Sequence, residues 1–307
     1  MILVTEFMDE SAVATLSAAH PTTYAPHLAD NQSEIPALMS GVQALVVRNR
    51  TTVNEALLSE APDLRLVGRL GVGLDNVDLE ACGIRGIEVA PATGANSRSV
   101  AEYVVTSAMV LLRGAFRANS TMTSGAWPRA ACVGREIAGR VLGLIGFGTI
   151  AQETAELAAG LSMTIVAHDP FLPADNDAWK NVQRMEMGDV LGVADIVSLH
   201  VPLNSNTRHM ISARELARMK SGAVLVNTAR GGIVDEAALA ASMRSGHLGG
   251  AALDVFETEP LTAEAAAIFD GLSNLVLTPH IAGVTQDSNV RVSRMIAGII
   301  LDRLGKT

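Results

Sequence analysis

The sequence has few of the features that mark disulfide-rich, nucleic-acid-binding or membrane proteins. Its 307 residues include two cysteines, Cys82 and Cys132, with no CxxC spacing, so we expect neither a disulfide framework nor a thiolate metal site. Lys and Arg number 23 against 32 Asp and Glu, a net charge of −9 with no basic run, which argues against a nucleic-acid partner. No apolar run approaches the roughly 18 residues of a membrane span, and no targeting segment is recognisable. We therefore expect a cytoplasmic protein without a membrane partner.

Short β-branched runs alternate with alanine-rich segments of helical period along most of the chain. Continuous apolar strands separated by helices are typical of parallel sheets covered on both faces, which predicts the α/β class. The predicted strands are Ile2–Thr5, Ala44–Val47, Leu64–Leu70, Ile87–Ala90, Val141–Ile145, Thr164–Ala167, Ile196–His200, Ala223–Asn227, Gly250–Leu253 and Leu275–Leu277. These strands are too many for one such sheet with the usual connections, and the chain is long for one domain, so we expect two.

Two long helical patterns locate the domain boundaries. The first runs from Ser99 to about Ser124, and the second runs from Gln286 to Leu304 near the end of the chain. A long helix on each side of the central α/β block predicts a discontinuous first domain, composed of residues 1–98 and 282–307. The second domain, residues 99–281, would be inserted into it.

The central block opens with a glycine-rich turn that suits a dinucleotide phosphate. The run from Val141 forms a predicted strand, then Gly146-x-Gly148-x-x-Ala151, then a helix to Gly160. Gly146 allows the tight turn, Gly148 allows the backbone to approach a pyrophosphate, and Ala151 allows close helix–strand packing. Alone, these residues would equally suit a structural turn. The alternative is weakened because the next strand ends in Asp169, 21 residues after Gly148, where an acid can bind the adenosine ribose. A carboxylate there repels a 2′-phosphate, so NAD is predicted rather than NADP.

Five further segments surround this loop in a specific order. They are Gly71–Asp78, Asn96–Glu102, Asn227–Glu236, Ala252–Pro260 and Thr278–Gly283. Together they resemble the D-isomer-specific 2-hydroxyacid dehydrogenase family over nearly the whole chain, and the resemblance extends to its phosphoglycerate dehydrogenase-like branch. The resemblance implies two doubly wound parallel-sheet domains, a Rossmann domain for NAD inserted into a flavodoxin-like substrate domain. It also implies an oxidoreductase that interconverts a 2-hydroxy acid and its 2-oxo acid by hydride transfer.

The family pattern implies a catalytic set of Arg230, Glu259 and His280. Oxidation of a secondary alcohol needs a base for the hydroxyl proton, and histidine has an ordinary pKa near neutrality. Glu259 would orient the imidazole and favour its protonated form, while Arg230 would hold the substrate carboxylate with its planar donors. Singly, the three could be a solvated loop acid, a turn histidine and a strand-end cap. No His, Asp or Glu cluster has metal-ligand spacing, and no metal is implied.

The resemblance also implies a set of cofactor contacts around the ends of the central strands. Gly148, Thr149 and Ile150 would supply loop backbone to the pyrophosphate, and Asp254 would lie near the nicotinamide carboxamide. His200 would lie beside the cofactor with a structural rather than a catalytic role. The remaining expected cofactor contacts are Gly146, Asp169, Val201, Pro202, Thr207, Thr228, Ala229, Arg230, His280 and Gly283.

Three segments are expected to contact the substrate. Arg48, Asn49 and Arg50 resemble the substrate loop of the phosphoglycerate dehydrogenase branch, and two arginines suit a second anionic group; a pair of solvated surface arginines is the alternative. Val72 and Gly73 resemble the loop whose backbone N–H groups hold the substrate carboxylate. Arg129 resembles an arginine that reaches the neighbouring subunit's site. The family implies a homodimer, with the first long helix at its interface.

The sequence leaves the substrate open between two small anionic hydroxy acids. One is 3-phosphoglycerate, and the other is (S)-3-sulfolactate, because the chain also resembles bacterial (S)-sulfolactate dehydrogenases in length and substrate loop. The S descriptor is compatible with a D-specific family. The carbon that bears the sulfonate ranks above the carboxylate in the priority rules, so the descriptor changes although the groups keep the same arrangement around C2. Hydroxypyruvate, glyoxylate or D-lactate type reduction is a further alternative. An NAD-sensing corepressor-like binding protein, a different class of function, is another.

Overall fold

A computed structural model describes residues 1–305 of the chain, which divide into two compact units. The first unit comprises Met1–Asn96 and the described residues from Val284 onward, and the second unit comprises Ser97–Gly283. The expected boundaries, after residues 98 and 281, lie two residues from these. The last two residues of the range expected for the first domain, 306 and 307, lie outside the described part of the chain.

The secondary structure of the described residues alternates between strands and helices. The strands are β1 (Ile2–Val4), β2 (Thr22–Tyr24), β3 (Ala44–Val47), β4 (Leu66–Arg69), β5 (Glu88–Pro91), β6 (Val141–Ile145), β7 (Thr164–His168), β8 (Gln183–Arg184), β9 (Ile196–Leu199), β10 (Val224–Asn227), β11 (Gly250–Leu253) and β12 (Leu275–Leu277). The helices are α1 (Glu10–Ala19), α2 (Glu55–Ser59), α3 (Leu79–Ile84), α4 (Ser97–Arg113), α5 (Asn119–Thr123), α6 (Thr149–Gly160), α7 (Met187–Val193), α8 (Ala213–Arg218), α9 (Glu236–Arg244), α10 (Ala263–Ala266) and α11 (Gln286–Leu304). Short 3₁₀ turns join several of them.

The first unit is built on a parallel sheet of five strands within the described chain. Their order is β2-β1-β3-β4-β5, the flavodoxin-like arrangement. Leu45 and Val47 of β3 pack on one face of the sheet, and Ala44 and Val46 pack on the other. Both faces are therefore covered, and the predicted α/β class is confirmed for this unit.

Helix α11 covers one face of this sheet and has the bounds that its apolar pattern predicts. Thr285 caps its start by accepting a hydrogen bond from Ser288 N at 3.0 Å. Ile296 and Ile300 lie buried against the sheet. A Cβ on Gly68 of β4 would lie 2.7 Å from Ile296 Cγ2, so the close packing of this helix requires glycine there.

The second unit is built on a parallel sheet of seven strands within the described chain. Their order is β12-β11-β10-β9-β6-β7-β8, so the first six strands of the unit follow the Rossmann order 3-2-1-4-5-6. Leu142 and Leu144 pack on one face while Ile145 packs on the other. The order reverses between β6 and β9, and open α/β sheets bind ligands at the carboxyl ends of strands at such a point.

Three sequence expectations need correction. The helix expected from Ser99 to about Ser124 is wrong in length: α4 ends at Arg113 because Gly114 adopts a left-handed conformation with φ 65°, and the separate helix α5 follows. Strands β2 and β8 were not predicted. Both lie at sheet edges with largely exposed side chains, so they lack the apolar run that identifies a buried strand.

Across residues 1–305, no helix is long and apolar enough to cross a membrane.

Candidate active site

The glycine-rich turn after β6 has the shape that a bound phosphate requires. Gly146 has φ 86°, and a Cβ there would lie 2.6 Å from the carbonyl oxygen of His200. The loop after β9, which carries Val201, therefore packs directly on this turn. Gly148 precedes the first residue of α6 without any side-chain cap, and the space next to its Cα is open. Helix α6 thus begins with N–H groups that the cap residue leaves without a side-chain acceptor, the kind of helix end that binds anions.

Asp169 lies beside this turn and organises it. Its Oδ2 accepts a hydrogen bond from Phe147 N at 2.8 Å, and its Oδ1 accepts from Phe171 N and Leu172 N at 2.8 and 3.1 Å. Burial disfavours the charged carboxylate, but these three donors outweigh it and lower the pKa of Asp169 below its ordinary value. A negative charge therefore stands next to the phosphate turn near neutral pH.

Other residues around the strand ends fit a bound dinucleotide. The hydroxyl oxygen of Thr228, at the end of β10, is buried and has no hydrogen-bond partner, which suits a polar group of a ligand. His200 Nε2 is 2.9 Å from Ser198 Oγ, and burial lowers the pKa of His200 to about 4, so the ring is neutral. The hydroxyl of Thr207 donates to Pro202 O at 2.6 Å and holds the turn after β9.

Glu259 and His280 form the central pair of the expected catalytic set. His280 Nδ1 is 2.7 Å from Glu259 Oε2, while Glu259 Oε1 accepts from Phe256 N at 3.0 Å. Burial opposes ionisation of Glu259, but the bonds from His280 and Phe256 and the charge of Arg230 outweigh it and lower its pKa. An ionised carboxylate can only accept, so Nδ1 carries the hydrogen and Nε2 is left as the proton acceptor.

The backbone of His280 is held in a strained conformation by Asp254. His280 has φ 54°, in the left-handed region that non-glycine residues rarely adopt, and its N–H donates to Asp254 O at 2.8 Å. The buried Asp254 carboxylate accepts from Ile281 N and Ala282 N, both at 2.8 Å, and from Thr278 Oγ1 at 2.6 Å. Asp254 therefore fixes the segment that presents the His280 ring.

Arg230 follows β10, at the same carboxyl edge of the sheet. The side chain of Asn227 supports its turn, accepting from Ala229 N at 3.1 Å and donating to Arg230 O at 3.0 Å. Arg230 Nη1 donates to Ala229 O at 2.6 Å, and its charge acts on Glu259. The structure thus brings together Arg230, Glu259 and His280, whose catalytic roles remain predictions. Asn227 was not singled out, because a strand-end asparagine carries no distinctive sequence signal.

The residues expected to bind substrate in the first unit lie on two loops after β3 and β4. Arg48 is half-buried, and its Nη2 donates to Asn289 Oδ1 at 2.9 Å. Arg50 instead forms an exposed ion pair with Asp30. Val72 is exposed and Gly73 is half-buried on the loop after β4. The two arginines therefore differ: Arg48 is partly shielded from solvent, while Arg50 is paired with an acid at the surface.

Arg129 and Gly283 are two further residues of the expected site. Arg129 lies on an exposed segment after α5, in which Trp127 is 77% exposed. Gly283 ends the second unit, directly after Ala282. Among residues 1–305, no three His, Cys, Asp or Glu side chains are grouped so as to hold a metal ion.

Comparison with known proteins decides which family carries this geometry. Residues 105–282 match the family model described as "D-isomer specific 2-hydroxyacid dehydrogenase, NAD binding domain", which is more than half of the chain. The chain belongs to the D-isomer specific 2-hydroxyacid dehydrogenase family. The predicted family, the α/β fold, the oxidoreductase class and the cofactor NAD are thereby confirmed.

Several members of the family are similar over most of this chain. The (S)-sulfolactate dehydrogenase of Chromohalobacter salexigens is 52% identical over 99% of this chain and 98% of its own length. The hydroxypyruvate reductase of Thermotoga maritima is 38% identical over 89% of both chains. The D-3-phosphoglycerate dehydrogenase of Mycobacterium leprae is 35% identical over 97% of this chain, which spans only 55% of that relative.

A solved structure has the same architecture over nearly the whole chain. The TT0316 protein of Thermus thermophilus is 30% identical, with a TM-score of 0.89, over 99% of this chain and 96% of its own. Both units of this chain therefore have counterparts in a solved structure.

Proposed function

We propose that this family member oxidises (S)-3-sulfolactate to sulfopyruvate with NAD, and that Arg230, Glu259 and His280 are its catalytic set. The observation that carries the chemistry is the 2.7 Å contact between His280 Nδ1 and Glu259 Oε2 at the carboxyl edge of a Rossmann sheet. The choice of substrate is supported by 52% identity with a sulfolactate dehydrogenase along essentially its full length.

His280 acts as the base through Nε2. Because Nδ1–H donates to the ionised Glu259, Nε2 carries the lone pair that accepts the hydroxyl proton of the substrate. The charge of Glu259 stabilises the imidazolium that results, because an opposite charge nearby favours the charged form of the ring. In the reverse direction the same nitrogen returns the proton to the carbonyl oxygen.

Arg230 binds the substrate carboxylate and polarises the oxygen at C2 through its guanidinium, whose planar donors suit both groups. When bound, NAD would supply the hydride-acceptor chemistry that the oxidation at C2 needs. The residues that would hold it are the turn at Gly146 and Gly148, the carboxylate of Asp169 and the buried hydroxyl of Thr228. Asp254 keeps His280 in place throughout.

A second anionic group on the substrate is bound, in this proposal, by Arg48 and Asn49, while backbone N–H groups at Val72 and Gly73 hold the carboxylate. The half-buried position of Arg48 supports this role, because a charge pair that is partly shielded from water is stronger than one at the surface. Arg50 contributes by exchanging its partner Asp30 for substrate.

A panel of 2-oxo acids tests the proposal by following NADH consumption. Sulfopyruvate should give the highest kcat/KM, exceeding 3-phosphohydroxypyruvate, hydroxypyruvate, glyoxylate and pyruvate by about tenfold or more, a difference of ~1.4 kcal/mol in transition-state binding. A higher value with 3-phosphohydroxypyruvate would assign the chain to 3-phosphoglycerate, the use named for the relative from Mycobacterium leprae. Preference for hydroxypyruvate would follow the Thermotoga maritima relative, and no turnover with any of them would favour an NAD-sensing binding protein.

The proposed assembly is a cytoplasmic homodimer with the range expected for the first long helix, Ser99 to about Ser124, at its interface. Phe116 and Met122 in this range are 65% and 41% exposed, so they are available for burial against a partner. Arg129 follows this range in sequence, which supports its expected role in the neighbouring subunit's site.

A further inference from the structure

A carboxylate at the end of β1 holds the loop that carries Arg48. Glu6 is 3% exposed, and its Oε1 accepts hydrogen bonds from Arg48 N at 2.7 Å and Thr51 N at 2.9 Å. Its Oε2 accepts from Asn49 N at 3.3 Å, and both oxygens are 3.2 Å from Arg50 N. Four successive backbone N–H groups thus converge on one side chain that is more than 40 residues away in sequence.

The carbonyl groups of the same loop are also held by side chains. Asn76 Nδ2 donates to Arg48 O at 3.3 Å and to Thr51 O at 2.6 Å. Gln32 Nε2 donates to Arg50 O at 2.8 Å. Glu6 is therefore the acceptor in a set of contacts that fixes both sides of the loop backbone.

This arrangement has a consequence for how an anion can bind. Successive N–H groups of a loop form a ready-made anion site, as in phosphate-binding loops. Here the protein's own carboxylate occupies them, so a substrate anion must be bound by side chains of the loop. The side chain placed for this is Arg48, whose pKa is lowered by burial, an effect that the negative charge of Glu6 opposes.

We propose that Glu6 is a positioning residue that sets selectivity for substrates with a second anionic group, by fixing the 48–51 backbone and thereby the direction of the Arg48 side chain. This inference rests on the proposed function, because it assumes that Arg48 binds that second group. Glu6 does not touch the substrate itself.

The side chain must be a glutamate for a geometric reason. Its two equivalent oxygens accept from four donors, whereas a glutamine would turn an NH₂ group toward N–H groups and leave some of them unpaired. An aspartate keeps the charge but is one methylene shorter, so it reaches fewer of the four. Glu6→Gln and Glu6→Asp therefore loosen the loop to different extents.

The decisive experiment compares kinetics of the full-length wild type and Glu6→Gln with sulfopyruvate and glyoxylate. We expect KM for sulfopyruvate to rise about tenfold or more, a ~1.4 kcal/mol loss of binding, with KM for NADH and kcat/KM for glyoxylate within about twofold of wild type. Adding Glu6→Gln to Arg48→Ala should change sulfopyruvate kinetics little, because both act through one contact. Equal losses for both substrates, or additive losses in the double variant, would overturn the inference.

A readout that needs no substrate is amide hydrogen exchange at residues 48–51. These amides should exchange slowly in the wild type, markedly faster in Glu6→Gln and at an intermediate rate in Glu6→Asp. If Glu6→Gln does not fold, the comparison of Glu6→Asp with the wild type tests the same point. Unchanged exchange in a folded variant contradicts the positioning role.

Asp195→Asn is the matched control. Asp195 is a buried carboxylate that accepts from Val141 N at 3.0 Å, and it precedes β9 at the opposite, amino-terminal edge of the second unit's sheet. Asp195→Asn should lower Tm without changing the ratio of kcat/KM for sulfopyruvate to kcat/KM for glyoxylate. A wild type that reduces no doubly charged oxo acid overturns the proposed function and the selectivity with it. If the wild type prefers sulfopyruvate and Glu6→Gln keeps the same ratio of kcat/KM for sulfopyruvate to kcat/KM for glyoxylate, this inference is overturned while the proposed function stands.

Discussion

At the scale of single residues, the ring of His280 is held in one tautomer by a charged neighbour. The lowered pKa of Glu259 keeps that carboxylate ionised across the neutral range in which histidines titrate. In the proposed mechanism, the protonated ring donates a proton when the oxo acid is reduced, and the ring with Nε2 unprotonated accepts one when the hydroxy acid is oxidised. The ionised Glu259 fixes the Nδ1–H tautomer, which leaves Nε2 facing the proposed substrate in both directions.

Glu259→Gln should lower kcat/KM in both directions. A neutral amide can turn its NH₂ group toward Nδ1, so it no longer fixes the tautomer that leaves Nε2 as the proton acceptor. We expect kcat/KM for oxidation and for reduction to fall about tenfold or more, equivalent to ~1.4 kcal/mol, with KM for NADH unchanged. The measurement is steady-state kinetics in both directions, with His280→Ala as the inactive reference. A wild-type kcat/KM in Glu259→Gln would show that the charge of Glu259 has no part in the proton transfer.

Asp169 should govern the choice between NAD and NADP. Replacing it by alanine removes the charge that repels a 2′-phosphate, so the ratio of kcat/KM for NADP to that for NAD should rise about tenfold or more, a change of ~1.4 kcal/mol. The same change leaves Phe147 N, Phe171 N and Leu172 N without their acceptor, so Tm should also fall. Asp177→Ala is the control, because its side chain is 86% exposed. An unchanged cofactor ratio in the folded Asp169 variant contradicts the assignment.

At the scale of elements, the start of α9 is clasped to the segment that carries Glu259. Glu236 Oε1 accepts from Glu257 N at 2.7 Å, and Glu236 N donates to Glu257 Oε1 at 3.4 Å. His209 Nε2 lies 3.1 Å from the same Glu257 oxygen. Burial raises the pKa of Glu236, and the charges of Glu257 and Glu259 raise it further. The clasp therefore holds Glu236 close enough for the charge of Glu259, a member of the proposed catalytic set, to act on it.

Removal of this clasp should lower catalysis more than binding. In Glu236→Ala the segment from Phe256 to Glu259 loses its anchor on α9, and small displacements of a catalytic group are costly, so kcat should fall about tenfold with KM for NADH unchanged. Glu236→Gln keeps an oxygen for Glu257 N and should retain most of the activity. Steady-state kinetics of the two variants test this, and equal losses in both would contradict a positioning role.

The elements differ in how far sequence alone could specify them. Every expected strand is found, because buried parallel strands are continuous apolar runs, and α11 has the expected bounds. Edge strand β8 has no apolar run that could predict it, because Gln183 and Arg184 are exposed. Helix α4 ends earlier than its apolar pattern predicts because Gly114 is left-handed, a conformation that the identity of a glycine allows but does not specify. In the site, motif residues such as His280 could be named from sequence. Glu6 could not, since its partners are backbone N–H groups, which leave no trace in side-chain identity.

At the scale of the whole molecule, the net charge has the same sign as the charge of the cofactor and of the proposed substrate. A chain of net charge −9 repels polyanions, yet these small ligands are anions. Their proposed binding therefore depends on local features, namely the N-terminus of α6, Arg48 and Arg230. If the dimer forms as proposed, Arg129 adds a cation from the partner subunit.

A mixed dimer can test whether Arg129 acts in the neighbouring subunit. Co-expressed chains carrying Arg129→Ala and His280→Ala, with different affinity tags, give heterodimers that can be isolated. If Arg129 serves the partner's site, the Arg129→Ala subunit retains His280 and receives an intact Arg129 from the other chain, so one site in two is restored. Its kcat/KM for sulfopyruvate should then approach half the wild-type value, well above that of either homodimer. If Arg129 serves its own subunit, the heterodimer holds no intact site, and its activity will stay at about half that of the Arg129→Ala homodimer.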